Sequence, residues 1–464
     1  MEKSKSPKLG YTGKDVVLSF QHMFAMFGAT VLVPILANMS INVALLSAGI
    51  GTIMFYFITQ KKVPVFLGSS FAFLPALCSC VGGGAGAIGS DTWNKAMGRT
   101  SVAIMLAGLV YVIFSFVIKA VGVEKIKKLF PPIVVGPVII VIGMILVPKT
   151  FWNNIIGNYA AGAENFGAWG TGSGAWQQWT TAGITALTII LVNAFAKPKS
   201  FLKVIPILLG FVVGYVYALC IGIVNFDGLK AAWDAKQFVI FQPDQFKNTF
   251  GFYGDMRFDA SAIIAIVPIA IVTFMEHLGD ISANSTVCEK DFMVDPGVNK
   301  TLLGDGVATM VAGAMGGPAN TTYGENTAVL AITKNYNPAN IFLAACFAVF
   351  FGCFSIFGQA IATIPSAVIG GASIVLFGMI SASGLRALVD GKVDFSNAKN
   401  LMVVSVILSI GLGLGSMSLA GDITGINTLK IMIKGVEISP LAIATVVGII
   451  MNLIIPDTEK KTAK

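Results

Sequence analysis

The sequence predicts an all-α polytopic membrane protein of fourteen transmembrane segments, arranged as two inverted seven-span repeats with short extended pieces in the third and tenth. Three observations carry this. The 464 residues are 55% hydrophobic and only 12% charged, with a mean hydropathy of +0.80, which leaves too little polar surface for a soluble fold. Fourteen apolar runs can be matched to a span length of ~20 residues, with tilt and helix breaks spreading the range. The basic residues then sort between alternate loops as cytoplasmic and external segments require.

In order, the runs fall near 15–37, 42–59, 65–79, 100–121, 132–147, 180–196, 203–224, 259–279, 299–315, 320–333, 339–362, 366–382, 398–416 and 438–455. The basic segment Met1 to Lys14 precedes an apolar stretch too long for a signal-peptide core and lacking a small-residue cleavage pattern, so the first run is expected to stay as a span. With both termini cytoplasmic, the inside segments hold 22 of the 31 Lys and Arg residues and the outside segments hold 9. A single missed span would move short basic loops to the wrong side, so this bias favours an even count. The third and tenth runs are too short for complete helices and carry Gly, Ser, Asn or Thr where a span would carry Leu and Val.

A weak internal echo gives the symmetry. Leu129 to Gly136 opens the fifth run around Pro131-Pro132, Ala362 to Gly370 opens the twelfth around Pro365, and in both a Gly-Met pair follows (Gly143-Met144, Gly378-Met379). The two lie seven spans apart, as do the short third and tenth. An odd separation makes the halves inverted, and interrupted segments at corresponding positions point to a binding site. Broken backbone at that depth is tolerated only where it lines a cavity or is buried in protein.

The chemistry concentrates in two polar interruptions, Phe274 to Asp280 and Asn320 to Asn326. An ionisable side chain at bilayer depth costs at least ~2.5 kcal/mol on the insertion scale, so Glu276, His277, Asp280 and Glu325 mark a functional site and a translocated solute. Glu276 and Asp280 are four apart and share a helical face, with His277 rotated away by about 100°. In a low dielectric the two carboxylates repel, which favours retention of a proton between them. Val65 to Phe73 reads as an extended piece followed by a half-helix from Pro75, with amides freed for a ligand and Phe71 offering a ring face to a planar aromatic ligand. Ser69 fits close helix packing as well as ligand contact. Gly317-Pro318 and the Asn-Thr-Thr-Tyr stretch repeat the pattern, and Glu325 near the start of a half-helix can either cap it or accept from ring N–H donors. His22 and His277 read more readily as satisfied core histidines than as ligand contacts. Asp305, between Gly304 and Gly306, is expected at the cytoplasmic edge, solvated.

Other classes are poorly served. Cys78, Cys80, Cys220, Cys288, Cys346 and Cys353 have neither CxxC nor His-paired spacing, so no zinc site, disulfide framework or other cofactor is expected. The net charge of +8 comes without an aromatic-interleaved basic stripe, so nucleic acid is not an expected partner. An enzyme would have no nucleophile, metal cluster or nucleotide loop to use.

Gln21 to Pro34, Leu67 to Phe73, Glu276 to Asp280 and Pro318 to Asn326 closely resemble the nucleobase/ascorbate transporter (nucleobase:cation symporter-2) family, in its uracil permease branch, along residues 15–455. The resemblance implies a core domain (1–121 with 259–362, spans 1–4 and 8–11) and a gate domain (122–224 with 363–455, spans 5–7 and 12–14). It implies proton-coupled import of uracil or a similar nucleobase by motion of core against gate, with no cofactor beyond protons. It also implies a homodimer formed through the gate, embedded in lipid of the cytoplasmic membrane. Substrate contact falls on Glu276, Glu325, Ser70, the backbone amides of Phe71 and Gly324, and the rings of Phe71 and Tyr323. Proton coupling falls on Glu276, Asp280 and His277, with His22, Asn326 and Thr333 in support. The family signature after Glu325-Asn326 carries Gly where this chain has Ala328, a methyl expected to tighten helix packing and shift affinity. A purine symporter of the same family, whose branches usually carry Gln in place of Glu325, is the nearest rival, and an inorganic-anion exchanger on the related fold is a second.

Overall fold

Local signals open and close each element. The computed structural model describes residues 12–82, 85–122, 125, 131–156, 175–197, 200–203, 205–424, 427–433 and 436–456. Thr12 Oγ1 accepts from the Asp15 N–H while the Asp15 carboxylate accepts from the Thr12 N–H, a reciprocal cap that starts α1 (Gly13–Leu36). Ser40 caps α2 (Ile41–Ile58). After β1 (Leu67–Ser69) and α3 (Leu74–Val81), Ser90 caps α4 (Asp91–Val121), which therefore begins nine residues before its apolar run because its first turns are polar. Pro131-Pro132 starts α5 (Pro132–Thr150), which runs into a π-helical stretch, Phe151–Ile156. Then follow α6 (Ala175–Phe195) and α7 (Pro206–Cys220). Two short amphipathic helices, α8 (Asp227–Asp234) and α9 (Pro243–Phe250), occupy a stretch where the sequence shows no apolar run.

Asp259 caps α10 (Ala260–Ile266), which continues after a short break as α11 (Ile269–Cys288). The second half continues with α12 (Val298–Met315), β2 (Asn320–Thr322) and α13 (Gly324–Thr333). Next come α14 (Pro338–Cys353), α15 (Ser355–Ala362), α16 (Ser366–Asp390) and α17 (Ala398–Thr424). A two-residue hairpin pair, β3 (Met432–Ile433) and β4 (Val436–Glu437), precedes α18 (Pro440–Ile454). Among the described residues eight helices are long and apolar enough to cross a membrane, and α14 with α15, bent by 82°, makes a ninth if counted as one span. α7 and α18 are apolar but shorter. The chain is a multi-pass helical membrane protein. Most of the basic residues at its two ends, Lys127, Lys128, Lys199 and Lys434, and the Leu129-Phe130 start of the echo, lie outside the described residues.

Small residues set the helix contacts, as expected where lipid removes the hydrophobic drive between helices. A Cβ added at Gly108 of α4 would stand 2.7 Å from the Gly306 carbonyl, and one at Gly306 of α12 would stand 2.8 Å from the Gly108 carbonyl, so the two backbones are in direct contact. Gly306→Val should therefore force α4 and α12 apart and lower the thermal unfolding temperature in detergent by several degrees, an overpacking cost of about 1–3 kcal/mol. An unchanged melting curve would refute this packing.

The two broken segments meet. β1 and β2 pair antiparallel, with Leu67 opposite Thr322, Gly68 opposite Thr321 and Ser69 opposite Asn320. Backbone groups that no helix can satisfy are taken up by neighbours: Ser70 N–H donates to the Ala319 carbonyl at 2.8 Å and Tyr323 N–H to the Phe66 carbonyl at 3.1 Å. Thr52 Oγ1 accepts from the Leu67 N–H at 2.9 Å, Thr309 Oγ1 donates to the Asn320 carbonyl at 3.0 Å, and Asn320 Nδ2 donates to the Ser47 carbonyl at 3.2 Å. The polar residues flanking the crossing thus make non-helical backbone tolerable at this depth. From the crossing α3 and α13 depart as two half-helices.

Candidate functional site

A cavity of about 380 Å³ lies at this crossing. Its wall brings together Glu276 and Asp280 from α11, Phe71 from the β1–α3 link, and Tyr323, Gly324 and Glu325 from the start of α13. The four-residue spacing on α11 turns both of its carboxylates to the same side, as the helical period requires.

Each side chain is held differently. Thr322 Oγ1 donates to Asp280 Oδ2 at 2.6 Å, tying α11 to the crossing. A Cβ added at Gly324 would meet Asp280 Oδ1 at 3.8 Å, so the start of α13 abuts the same carboxylate. Glu276 accepts no hydrogen bond from another described residue and faces the cavity. The Tyr323 hydroxyl donates to the Ser69 carbonyl at 2.8 Å and accepts from Thr30 Oγ1 at 3.2 Å, while its ring lies against Gly68, where any Cβ would collide with it at 2.5 Å. Gly68 is therefore required by close approach. Phe71 lies edge-to-face on Phe377 of α16, centroids 6.2 Å apart. The Phe71 and Gly324 N–H groups donate to no described residue.

Behind this wall, Asn326 Nδ2 donates to the His22 carbonyl at 3.0 Å and stands 3.3 Å from His22 Nδ1, joining α13 to α1. Ser70 is buried away from the cavity, its hydroxyl without a partner among the described residues. Thr333 donates to the Val329 carbonyl at 2.8 Å at the far end of α13 and does not reach the cavity. His277 points into the core, with Nε2 3.0 Å from Thr301 Oγ1 and Nδ1 2.9 Å from Asp305 Oδ2. This corrects the expectation for Asp305: it is fully buried, not solvated at an edge. Its neighbours Gly304 and Gly306 are packing contacts inside α12, against Phe55 and Gly108. The Ala328 methyl lines the cavity. Thr322 and Phe377 acquire contacts that their sequence context does not announce.

Three carboxyl groups line this cavity and make it rich in hydrogen-bond acceptors. The Lys203 ammonium, at its rim on the α6–α7 link, is engaged by the Asn193 carbonyl. Such a site disfavours anions and favours a ligand that presents hydrogen-bond donors.

Two broken segments crossing beside a carboxylate-lined cavity within a multi-pass helical protein define the class of broken-helix membrane transporters. The chain belongs to the Permease family, the nucleobase/ascorbate transporters, whose family model matches residues 13–419. It is 38% identical over 446 residues to a uracil permease of Bacillus caldolyticus, covering 96% of this chain and 92% of the relative. It is 35% identical over 442 residues to a uracil permease of Escherichia coli strain K12, covering 95% and 91%. In fold it is similar to the transmembrane domain of the cyanobacterial bicarbonate transporter BicA, with a TM-score of 0.56 at 13% identity over 96% of this chain and 99% of that one. It is also similar to the murine anion transporter Slc26a9 in its inward-facing state, with a TM-score of 0.60 at 11% identity over 97% and 69%. At such identities the likeness concerns fold alone.

Proposed function

We propose that this protein is a proton-coupled importer of uracil in the cytoplasmic membrane. The observation that carries the reading is the pairing, on one cavity wall, of the Glu276 and Glu325 carboxylates with the uncommitted N–H groups of Phe71 and Gly324. Uracil alternates ring N–H donors with carbonyl acceptors, so two acceptors and two donors suit it, while Phe71 and Tyr323 cover its faces. The names of the full-length relatives support the same substrate. In this reading the chain has fourteen spans in two inverted repeats, both termini are cytoplasmic, and a core (1–121 with 259–362) moves against a gate (122–224 with 363–455) through which two copies pair.

The proton resides on the Glu276–Asp280 pair and moves with substrate. Asp280→Asn keeps the shape and the acceptor for Thr322 but removes a titrating group. We expect gradient-driven accumulation of radiolabelled uracil in proteoliposomes to collapse in this variant while uracil binding is retained. Uptake that still responds fully to an imposed pH gradient would remove Asp280 from the proton path. In the wild type, uptake indifferent to the gradient, or xanthine competing better than uracil, would overturn the assignment itself.

A further inference from the structure

A second cavity, of about 590 Å³, lies further along the same seam, past the Phe71–Phe377 ring contact: Phe71 lines the first cavity and Phe377 the second. α5 contributes Ile139 and Ile142 to the first and Leu146 and Lys149 to the second. At ~1.5 Å per residue the second is displaced roughly 10 Å along that helix, toward the face opposite Lys203.

The character of this cavity is reversed. Lys95 and Arg99 of α4, Lys149 of α5, Arg257 ahead of α10 and Lys430 ahead of α18 line it, and no carboxylate does so among the described residues. Five of the nine basic residues assigned to the external face thus converge on one space. Chance scatter and membrane topology both work against this, since external segments are poor in Lys and Arg. Arg99 Nε is buried without a hydrogen-bond partner, a donor held ready and unsatisfied. The carboxylate electrostatically coupled to Arg99, Asp259, is committed to capping α10 through the Ser261 and Ala262 N–H groups at 3.1 Å.

We propose that this cavity is a binding site for a phosphate-bearing anion, held by Arg99 of α4 and Lys149 of α5 together with Lys95, Arg257 and Lys430. Guanidinium and ammonium groups together suit tetrahedral oxyanions, and the volume admits more than a single phosphate. The ligand is either a free phosphoanhydride or the headgroup of an anionic lipid; the chemistry at the cavity is shared.

The test is calorimetric titration of inorganic pyrophosphate into the full chain, in nanodiscs of phosphatidylcholine alone and of phosphatidylcholine with phosphatidylglycerol. Saturable binding is expected in the neutral discs, weakened at least tenfold in Arg99→Gln/Lys149→Gln and weakened further by added salt. Equal binding in both discs identifies a free anion. Binding lost in the phosphatidylglycerol discs, with that lipid retained through purification by the wild type and not by the double variant, identifies the headgroup. Arg257→Gln, at an exposed position, serves if the double variant does not fold and should weaken binding on its own. Absence of saturable pyrophosphate binding together with lipid retention unchanged by substitution would overturn the proposal, as would full affinity in the variants. None of these readouts depends on uracil, so failure here is distinguishable from failure of the transport reading.

Discussion

Glu276→Gln and Glu325→Gln are each expected to weaken uracil binding by at least about 1.5 kcal/mol, roughly tenfold or more, the range for a hydrogen bond to a charged group. The reasoning is geometric. Both carboxylates face the cavity, and Glu276 has no competing partner among the described residues, so its acceptor capacity is available to a ligand. Gln preserves size but converts one acceptor into a donor, which then confronts the ring N–H it should receive. Calorimetric titration of purified protein reads the effect directly. Wild-type affinity in either variant would remove that residue from the substrate contacts, and wild-type affinity in both would remove the cavity.

Asp305→Ala is expected to be the most destabilising single change discussed, at about 3–5 kcal/mol, the cost of removing one partner of a closely paired, fully buried polar contact. Asp305 and His277 are both fully buried, 2.9 Å apart, on α12 and α11. Removing the carboxylate strands the His277 Nδ1 in a packed interior and opens a void beside Gly306. Asp305→Asn keeps an oxygen that can accept from the imidazole and should cost clearly less. Denaturant-induced unfolding in detergent, run on both variants, checks the ranking. Equal stability of Asp305→Ala and wild type would mean that the pair does not hold α11 to α12.

Much of the architecture is legible in the residues because membrane helices are written in length and apolarity, and the polar interruptions stand out against that background. Glu276, Asp280, Tyr323, Gly324 and Glu325 could be grouped from spacing and resemblance, and they do share one wall. The β1–β2 pairing was less accessible: three residues a side are too few for an alternating pattern, and their partners lie in distant segments. Asp305 misleads because it lies near the start of its run, where a span meets its cytoplasmic edge, whereas the flanking glycines bring neighbouring helices close enough to bury it. The amphipathic helices α8 and α9 escape a search for apolar runs altogether, although the turn after α9 seats Phe252 against Trp93. The face on which Ala328 lies depends on the direction α13 takes from the crossing, which a sequence does not state.

The β1–β2 ladder also orders events during synthesis. The Phe66 carbonyl must wait for the Tyr323 N–H, some 257 residues later, before it finds its partner across the crossing. At ~5–20 residues per second that interval is roughly 13–50 s. Throughout it the nascent chain carries, in its first membrane-inserted portion, a strand edge that lipid cannot satisfy. A chain truncated before Asn320 therefore keeps its earliest helices but has no β2 for its broken segment to pair with. Completion of the second half is therefore registered as the repair of a defect located in the first.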